Sequence, residues 1–241
     1  MIKDIKLIIF DLDNTLINYG GVTKKAWDLT CTEMVKHFPT HCDALVLSDE
    51  IYKVNNSIWE DEAKRPRGNF SFDELRRSII QKAFYNLKIN NSEAIEFLVM
   101  HYAECKHEAV YVFDDVHPTL QTLRDRGYIL ALLTNGDALT QREKLVRFDL
   151  EKSLDFIFID GEQGIGKPEK QAYDNVLNAC NANACEACMV GDHYLWEVVA
   201  PKKYGLKAIW VNRDHSPIPM DESIKPDYRI ENIRELLNIF K

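Results

Sequence analysis

Two textures of hydrophobic patterning divide the chain. Near-continuous apolar runs at Lys6–Phe10, 128–134 ("YILALLT"), 154–160 ("LDFIFID"), 188–192 ("CMVGD") and 207–212 ("KAIWVN") read as strands buried on both faces. A strand with one wet face would alternate apolar and polar residues instead. Helical periodicity fills the gaps between the later runs, as in Pro118–Arg126, closed by Gly127, and Glu169–Ala179, opened by Pro168. Strands alternating with helices predict a parallel sheet covered on both faces. The final "PDYRIENIRELLNIFK" predicts a short edge strand and an amphipathic closing helix with Ile230, Ile233, Leu236, Leu237 and Phe240 turned inward.

Residues 18–111 carry the second texture, in which helical spacing dominates and no buried-strand run occurs. The spacing predicts helices over Thr23–Phe38, Ser48–Ala63, Phe72–Leu87 and Glu93–Ala109, the third opened by a capping box of Ser71 with Glu74 and preceded by a loop, "RPRGN". The expected organisation is therefore a core from residues 1–17 and 112–241, interrupted by a helical domain from 18–111. The chain should hinge near Gly20 and Gly21 and again around Tyr111–Asp114.

Composition narrows the partners. The 241 residues are 46% hydrophobic and 28% charged, the balance of a globular protein with a real core. A net charge of -8 disfavours nucleic acid and anionic membrane as main partners, since both would be repelled. No apolar run approaches the roughly 20 residues of a membrane span. Six scattered cysteines, Cys31, Cys42, Cys105, Cys180, Cys185 and Cys188, are too sparse for a disulfide scaffold and point to the cytoplasm. Cys185 and Cys188 form a CxxC, read as free thiols rather than a zinc site because no second ligand pair accompanies it. The pattern carries no signal for an oligomeric state.

Candidate chemistry sits where the strands end. The first strand stops on Asp11 and Asp13, the second on Thr134 and Asn135, the fourth on Asp192, and Lys167 follows the third in "GIGKPEK". Open parallel sheets present their sites at these carboxyl ends.

The stretches "DLDNT" (11–15), "LLTNG" (132–136), "GEQGIGKPEKQAY" (161–173) and "GDHYLWE" (191–197), in this order, resemble the haloacid dehalogenase superfamily. The resemblance is closest to its phosphatase branch with a helical (C1-type) cap, including nucleotidase and N-acylneuraminate-9-phosphatase-like members. It implies an α/β fold, a Rossmann-like doubly wound parallel sheet with an inserted all-helical cap domain. The implied activity is Mg2+-dependent hydrolysis of a small phosphorylated metabolite. Asp11 would be the nucleophile that forms an aspartyl phosphate, and Asp13 the acid that protonates the leaving oxygen and then activates water. Mg2+ would take the Asp11 side chain, the Asp13 backbone carbonyl and Asp192 as ligands. Lys167 would neutralise phosphate charge, and the Thr134 hydroxyl and Asn135 amide would donate to phosphoryl oxygens.

One position departs from the family pattern. The fourth motif usually supplies an aspartate preceded by asparagine, where this chain has Glu197 preceded by Trp196. Glu197 would accept hydrogen bonds or hold a metal-bound water, with an arm longer by about one methylene. Three other readings share the fold: a phosphosugar mutase, a 2-haloacid dehalogenase, and a binding protein whose catalysis has decayed. Asp13 argues against the dehalogenase, whose chemistry needs no acid two residues beyond the nucleophile.

In the helical domain, Lys64, Arg65, Arg67, Arg76 and Arg77 either reach an anionic substrate or pair with glutamates such as Glu60 and Glu62. Tyr19, Trp27 and Trp59 either stack on a substrate or pack the core. His193 is expected in a loop near the site, Mg2+ preferring oxygen ligands, and His117 at the start of a helix.

Overall fold

The computed structural model describes residues 4–59, 71–219 and 223–241, apart from the Trp59 side chain. The chain forms two compact units, one of Met1–Asn18 with Tyr111–Lys241 and the other of Tyr19–Val110.

The first unit is built on a parallel sheet of six strands. In chain order the strands are β1 (Leu7–Phe10), β2 (Ile17–Asn18), β3 (Tyr111–Val112), β4 (Ile129–Thr134), β5 (Phe156–Ile159), β6 (Ala187–Gly191), β7 (Lys207–Val211) and β8 (Tyr228–Ile230). The sheet runs β5-β4-β1-β6-β7-β8, and β2 pairs with β3 as a separate antiparallel ribbon. All five pairings in the large sheet are parallel. Connectivity proceeds outward from β1 to one edge and then from β6 to the other. The direction of winding reverses between β1 and β6, and such a reversal opens a crevice beyond the strand ends.

Continuous apolarity in the strands has the expected cause. Leu7, Ile9, Ala131, Leu133, Ala187 and Met189 pack on one face against Tyr173 and Val176 of the helix Lys170–Ala179. Their alternates Ile8, Phe10, Leu130, Leu132 and Val190 are just as buried, so the second face is covered too.

Several element ends differ from the sequence expectation. The helix after β3 spans Val116–Asp125, two residues earlier than the Pro118 start, with His117 and Pro118 in its first turn. Proline is tolerated there because the early N–H groups have no intrahelical acceptor. The closing helix is two short pieces, a 3-10 turn at Ile233–Glu235 and an α-turn at Leu236–Ile239. Ile239 is buried where Leu237 was expected, and Leu237 is half-buried. Elements with no counterpart in the sequence expectation include the β2–β3 ribbon and the helix Ala138–Arg147.

The second unit consists of α1 (Thr23–His37), α2 (Ala44–Trp59), α3 (Phe72–Asn86) and α4 (Ser92–Ala109). Helix α2 begins four residues before the expected Ser48 because Asp43 Oδ1 accepts from Leu45 N at 2.8 Å and caps it. The expected continuation to Ala63 and the "RPRGN" loop lie outside the described residues. Ser71 caps α3, accepting from Glu74 N at 3.3 Å, and Asn91 caps α4, accepting from Ala94 N at 3.0 Å. Trp27 of α1 stacks on Tyr102 of α4, ring centroids 3.6 Å apart, inside a core with Met34, Leu47, Ile80, Phe84 and Leu98.

Candidate active site

Register brings the candidate residues to one rim. Phe10 stands opposite both Leu132 and Val190, so Asp11, Thr134 and Asp192 emerge together where β1, β4 and β6 end. Asp11 is still held to the sheet, its N–H donating to the Val190 carbonyl at 3.0 Å. The chain then turns sharply. Leu16 N and Ile17 N both donate to the Leu12 carbonyl, and Asn14 adopts a left-handed conformation at φ 66. Asparagine is among the few side chains that accept this geometry readily. Asn14 Nδ2 then donates to Asp192 Oδ2 at 3.2 Å, joining the β1 turn to the end of β6.

The two aspartates of the first motif are held by different lysines. Lys167 Nζ is 2.5 Å from Asp11 Oδ1 and 2.8 Å from Glu197 Oε1, and all three side chains are buried. Lys144 Nζ is 2.9 Å from each oxygen of Asp13, a residue whose side chain is 27% exposed. Asn135 has a structural task beside the expected one: its Nδ2 donates to the Lys167 carbonyl at 2.7 Å and its Oδ1 accepts from Lys167 N at 2.8 Å. The asparagine thereby fixes the backbone that carries the lysine. Thr134 Oγ1 accepts from Gln141 Nε2 at 2.7 Å.

Glu197 reaches Lys167 from a π-helical turn, Tyr194–Val199, that follows β6. Such a turn widens the backbone and is often found at functional sites. His193 precedes it as the cap and stacks on Trp196, centroids 4.1 Å apart, while Tyr173 Oη donates to the Trp196 carbonyl. Gly191 makes room for the longer glutamate. A Cβ there would overlap Glu197 Cγ and lie 3.0 Å from Asp11 Cβ.

Electrostatically the cluster is one cation short. Asp11, Asp192 and Glu197 share a single ammonium, Lys167, which leaves two negative charges in excess when all are ionised. Burial pushes the Asp192 carboxyl up to about 7, and the neighbouring Asp11 charge adds to the rise. Burial likewise raises Asp11, and Glu197 well above the usual range, against the lowering pull of Lys167. Desolvation alone would lower Lys167; the Asp11 and Glu197 charges override it and hold the ammonium protonated. Glu197 Oε2 is buried without a hydrogen-bond partner. An excess of two charges, an all-oxygen donor set and an orphaned carboxylate oxygen together fit a small hard divalent cation. Among the described residues no group of three or more His, Cys, Asp or Glu side chains is arranged as a metal site. The expected ligands, however, include only two side-chain carboxylates, the third being a backbone carbonyl.

Gln141 and Lys144 were not found from the sequence. They lie on the helix Ala138–Arg147, whose start is signalled by Asp137, its Oδ1 accepting from Thr140 N at 2.9 Å. That cap and the three-residue spacing of Gln141 and Lys144 were the available signals.

In the second unit, Arg76 pairs with Asp73 at 2.8 Å and donates to the Val99 carbonyl at 3.0 Å, and Arg77 grips both oxygens of Glu96 at 2.8 and 2.7 Å. Both arginines pair with carboxylates; Glu60, Glu62, Lys64, Arg65 and Arg67 lie outside the described residues, as does the Trp59 side chain. Trp27 is core, and Tyr19 carries Lys106 Nζ over its ring at 3.5 Å. All six cysteines are free thiols, including the CxxC pair. Among the described residues no helix is long and apolar enough to cross a membrane.

The chain is similar to several known proteins. A phosphoserine phosphatase of Thermus thermophilus is 38% identical over 96% of this chain and 97% of its own length. N-acylneuraminate-9-phosphatase of Mus musculus is 27% identical over 96% of this chain and 92% of its own. The fold matches the structure of the HAD-hydrolase YfnB from Bacillus subtilis bound to magnesium with a TM-score of 0.78 at 21% identity, over 99% of this chain and 100% of that one. The family model described as haloacid dehalogenase-like hydrolase matches residues 5–205. The chain therefore belongs to the haloacid dehalogenase-like hydrolases and is an enzyme of the hydrolase class.

Proposed function

We propose that this hydrolase is a Mg2+-dependent phosphatase that cleaves a small soluble phosphomonoester through an aspartyl phosphate on Asp11, with residues 18–111 as its helical cap. The observation that carries the reading is the pair of carboxylates at one strand end, each with its own lysine: Lys167 on Asp11 and Lys144 on Asp13. A dehalogenase needs only the first of these; a phosphosugar mutase would use both and is told apart by isomerised product in place of free phosphate. Two separately held carboxylates suit a reaction that needs a nucleophile and an acid/base at once.

The roles follow from position. Asp11 attacks phosphorus as the ester P–O bond breaks, and Asp13 gives its proton to the departing oxygen. Asp13 then takes a proton from the water that attacks the aspartyl phosphate, releasing phosphate and restoring Asp11. Lys167, held by Asn135, keeps Asp11 aligned and offsets negative charge at the phosphoryl group. Thr134 offers its hydroxyl to a phosphoryl oxygen. Asp11, the Asp13 carbonyl and Asp192 would hold Mg2+, with Glu197 behind them. When bound, the ion neutralises the carboxylates and phosphate so that like charges can approach. The phosphatase names of the relatives support this reading, and the six free thiols agree with a cytoplasmic setting.

The test is phosphate release from an aryl phosphate and from a panel of phosphomonoesters, with Mg2+ and with a chelator. The expected result is turnover with Mg2+, loss of it with chelator, and none for Asp11→Asn in either case. An inert protein across divalent metals and the whole panel would sink the proposal.

A further inference from the structure

We propose that Lys144 and Gln141 are positioning residues that fix the Asp13 carboxylate and set its place relative to Thr134. The inference rests on the phosphatase reading of the site. Lys144 Nζ stands 2.9 Å from both Asp13 oxygens and 2.7 Å from Gln141 Oε1. Gln141 Nε2 turns the other way, 2.7 Å from Thr134 Oγ1 and 3.4 Å from Asp13 Oδ2. One amide thus links the cation, the acid/base and the phosphoryl donor.

Burial makes this arrangement informative. Gln141 is 2% exposed and Lys144 9% exposed, on a helix with exposed apolar residues at Leu139 and Val146. Desolvating an ammonium and an amide is unfavourable unless both are paired, and apolar side chains would fill the same buried positions at less cost. Here the two polar groups face Asp13 and Thr134, and they satisfy each other across one turn of helix. A carboxylate gripped at both oxygens loses most of its rotational freedom. Oδ2 receives two of these donors and Oδ1 one, which leaves Oδ1 the oxygen with more capacity to exchange a proton with a leaving group. Misplacement by about 1 Å at such a group costs on the order of a hundredfold in rate.

A purely structural role would slow all substrates alike. A positioning role slows those that need the proton most, because a good leaving group departs without protonation and a poor one does not. The experiment compares kcat/KM of the full chain with Mg2+ for p-nitrophenyl phosphate and for an alkyl phosphate such as glycerol phosphate. For Lys144→Met the alkyl phosphate should lose about a hundredfold and the aryl phosphate less than a tenth as much. Lys144→Arg, which keeps the cation, should recover most of the loss. Gln141→Met, which keeps Lys144 and its charge, tests the same claim if Lys144→Met does not fold, and it should show the same bias towards the alkyl substrate. Equal losses on both substrates, or no loss, would overturn the positioning role while leaving the phosphatase reading intact. Absence of turnover by the unsubstituted protein would overturn that reading and the positioning role with it.

Discussion

Asp11 and Asp13 are separated only by Leu12, yet their surroundings differ in kind. Asp11 is 6% exposed and shares Lys167 with Glu197, whereas the Asp13 side chain is 27% exposed and held by Lys144. In the proposed mechanism the buried carboxylate against an ammonium keeps its place for attack, and the more open one meets the leaving oxygen and then water. Gly191 is the residue on which this packing turns, because Glu197 and Asp11 close over its Cα. Gly191→Ala should therefore displace both carboxylates, cost about 1–3 kcal/mol of stability and remove most activity. Thermal unfolding and phosphate release measure the two effects, and an alanine variant with native stability and turnover would contradict the packing described. At this scale the sequence was informative wherever a motif residue carries charge. Asp11, Lys167 and Glu197 meet directly, and Asp192 is tied to the β1 turn by Asn14. It pointed to Asn135 as a phosphoryl donor but not to the pairing of its side chain with the Lys167 backbone. A pairing of amide with backbone leaves no pattern along the chain.

Elements were legible where burial dictates composition. The near-continuous apolar runs predicted strands, and the six-stranded parallel sheet follows from their being covered on both faces. Helix Ala138–Arg147 escaped because its inward face is not apolar: Gln141 and Lys144 are buried there beside Leu145. Hydrophobic periodicity fails when a helix buries polar groups for a site. The β2–β3 ribbon escaped for another reason, being two residues on each side and specified by pairing across the chain rather than by local pattern. The π-helical turn at Tyr194–Val199 likewise depends on tertiary contacts, with His193 stacked on Trp196 and Tyr173 bound to its carbonyl. These contacts accompany the departure from the usual motif and place the Glu197 carboxylate on Lys167.

For the whole molecule, the excess negative charge in the first unit ties stability to pH and metal. The Asp192 carboxyl is raised from the ordinary aspartate range to about 7, so between about pH 4 and that value the folded chain binds more protons than the unfolded one. Stability from this site is accordingly present at the acidic end and falls as pH rises towards 7. Under the proposed function Mg2+ would bind the ionised form and offset the loss, so the shift in unfolding temperature on adding Mg2+ should be larger at pH 7 than at pH 5. A shift that is equal at both pH values, or absent, would remove Asp192 from the metal site. In the second unit Arg76 and Arg77 are each engaged by a carboxylate, Asp73 and Glu96. The central claim is that Asp11 is the nucleophile. Its most direct measurement is rapid quenching of the enzyme during turnover in Mg2+, followed by mass spectrometry of the peptide containing residues 7–18. The account predicts one phosphoryl group on Asp11, formed and lost at rates that match turnover and missing in Asp11→Asn. Turnover with no phosphoryl group on that peptide, or with one on another residue, would contradict it.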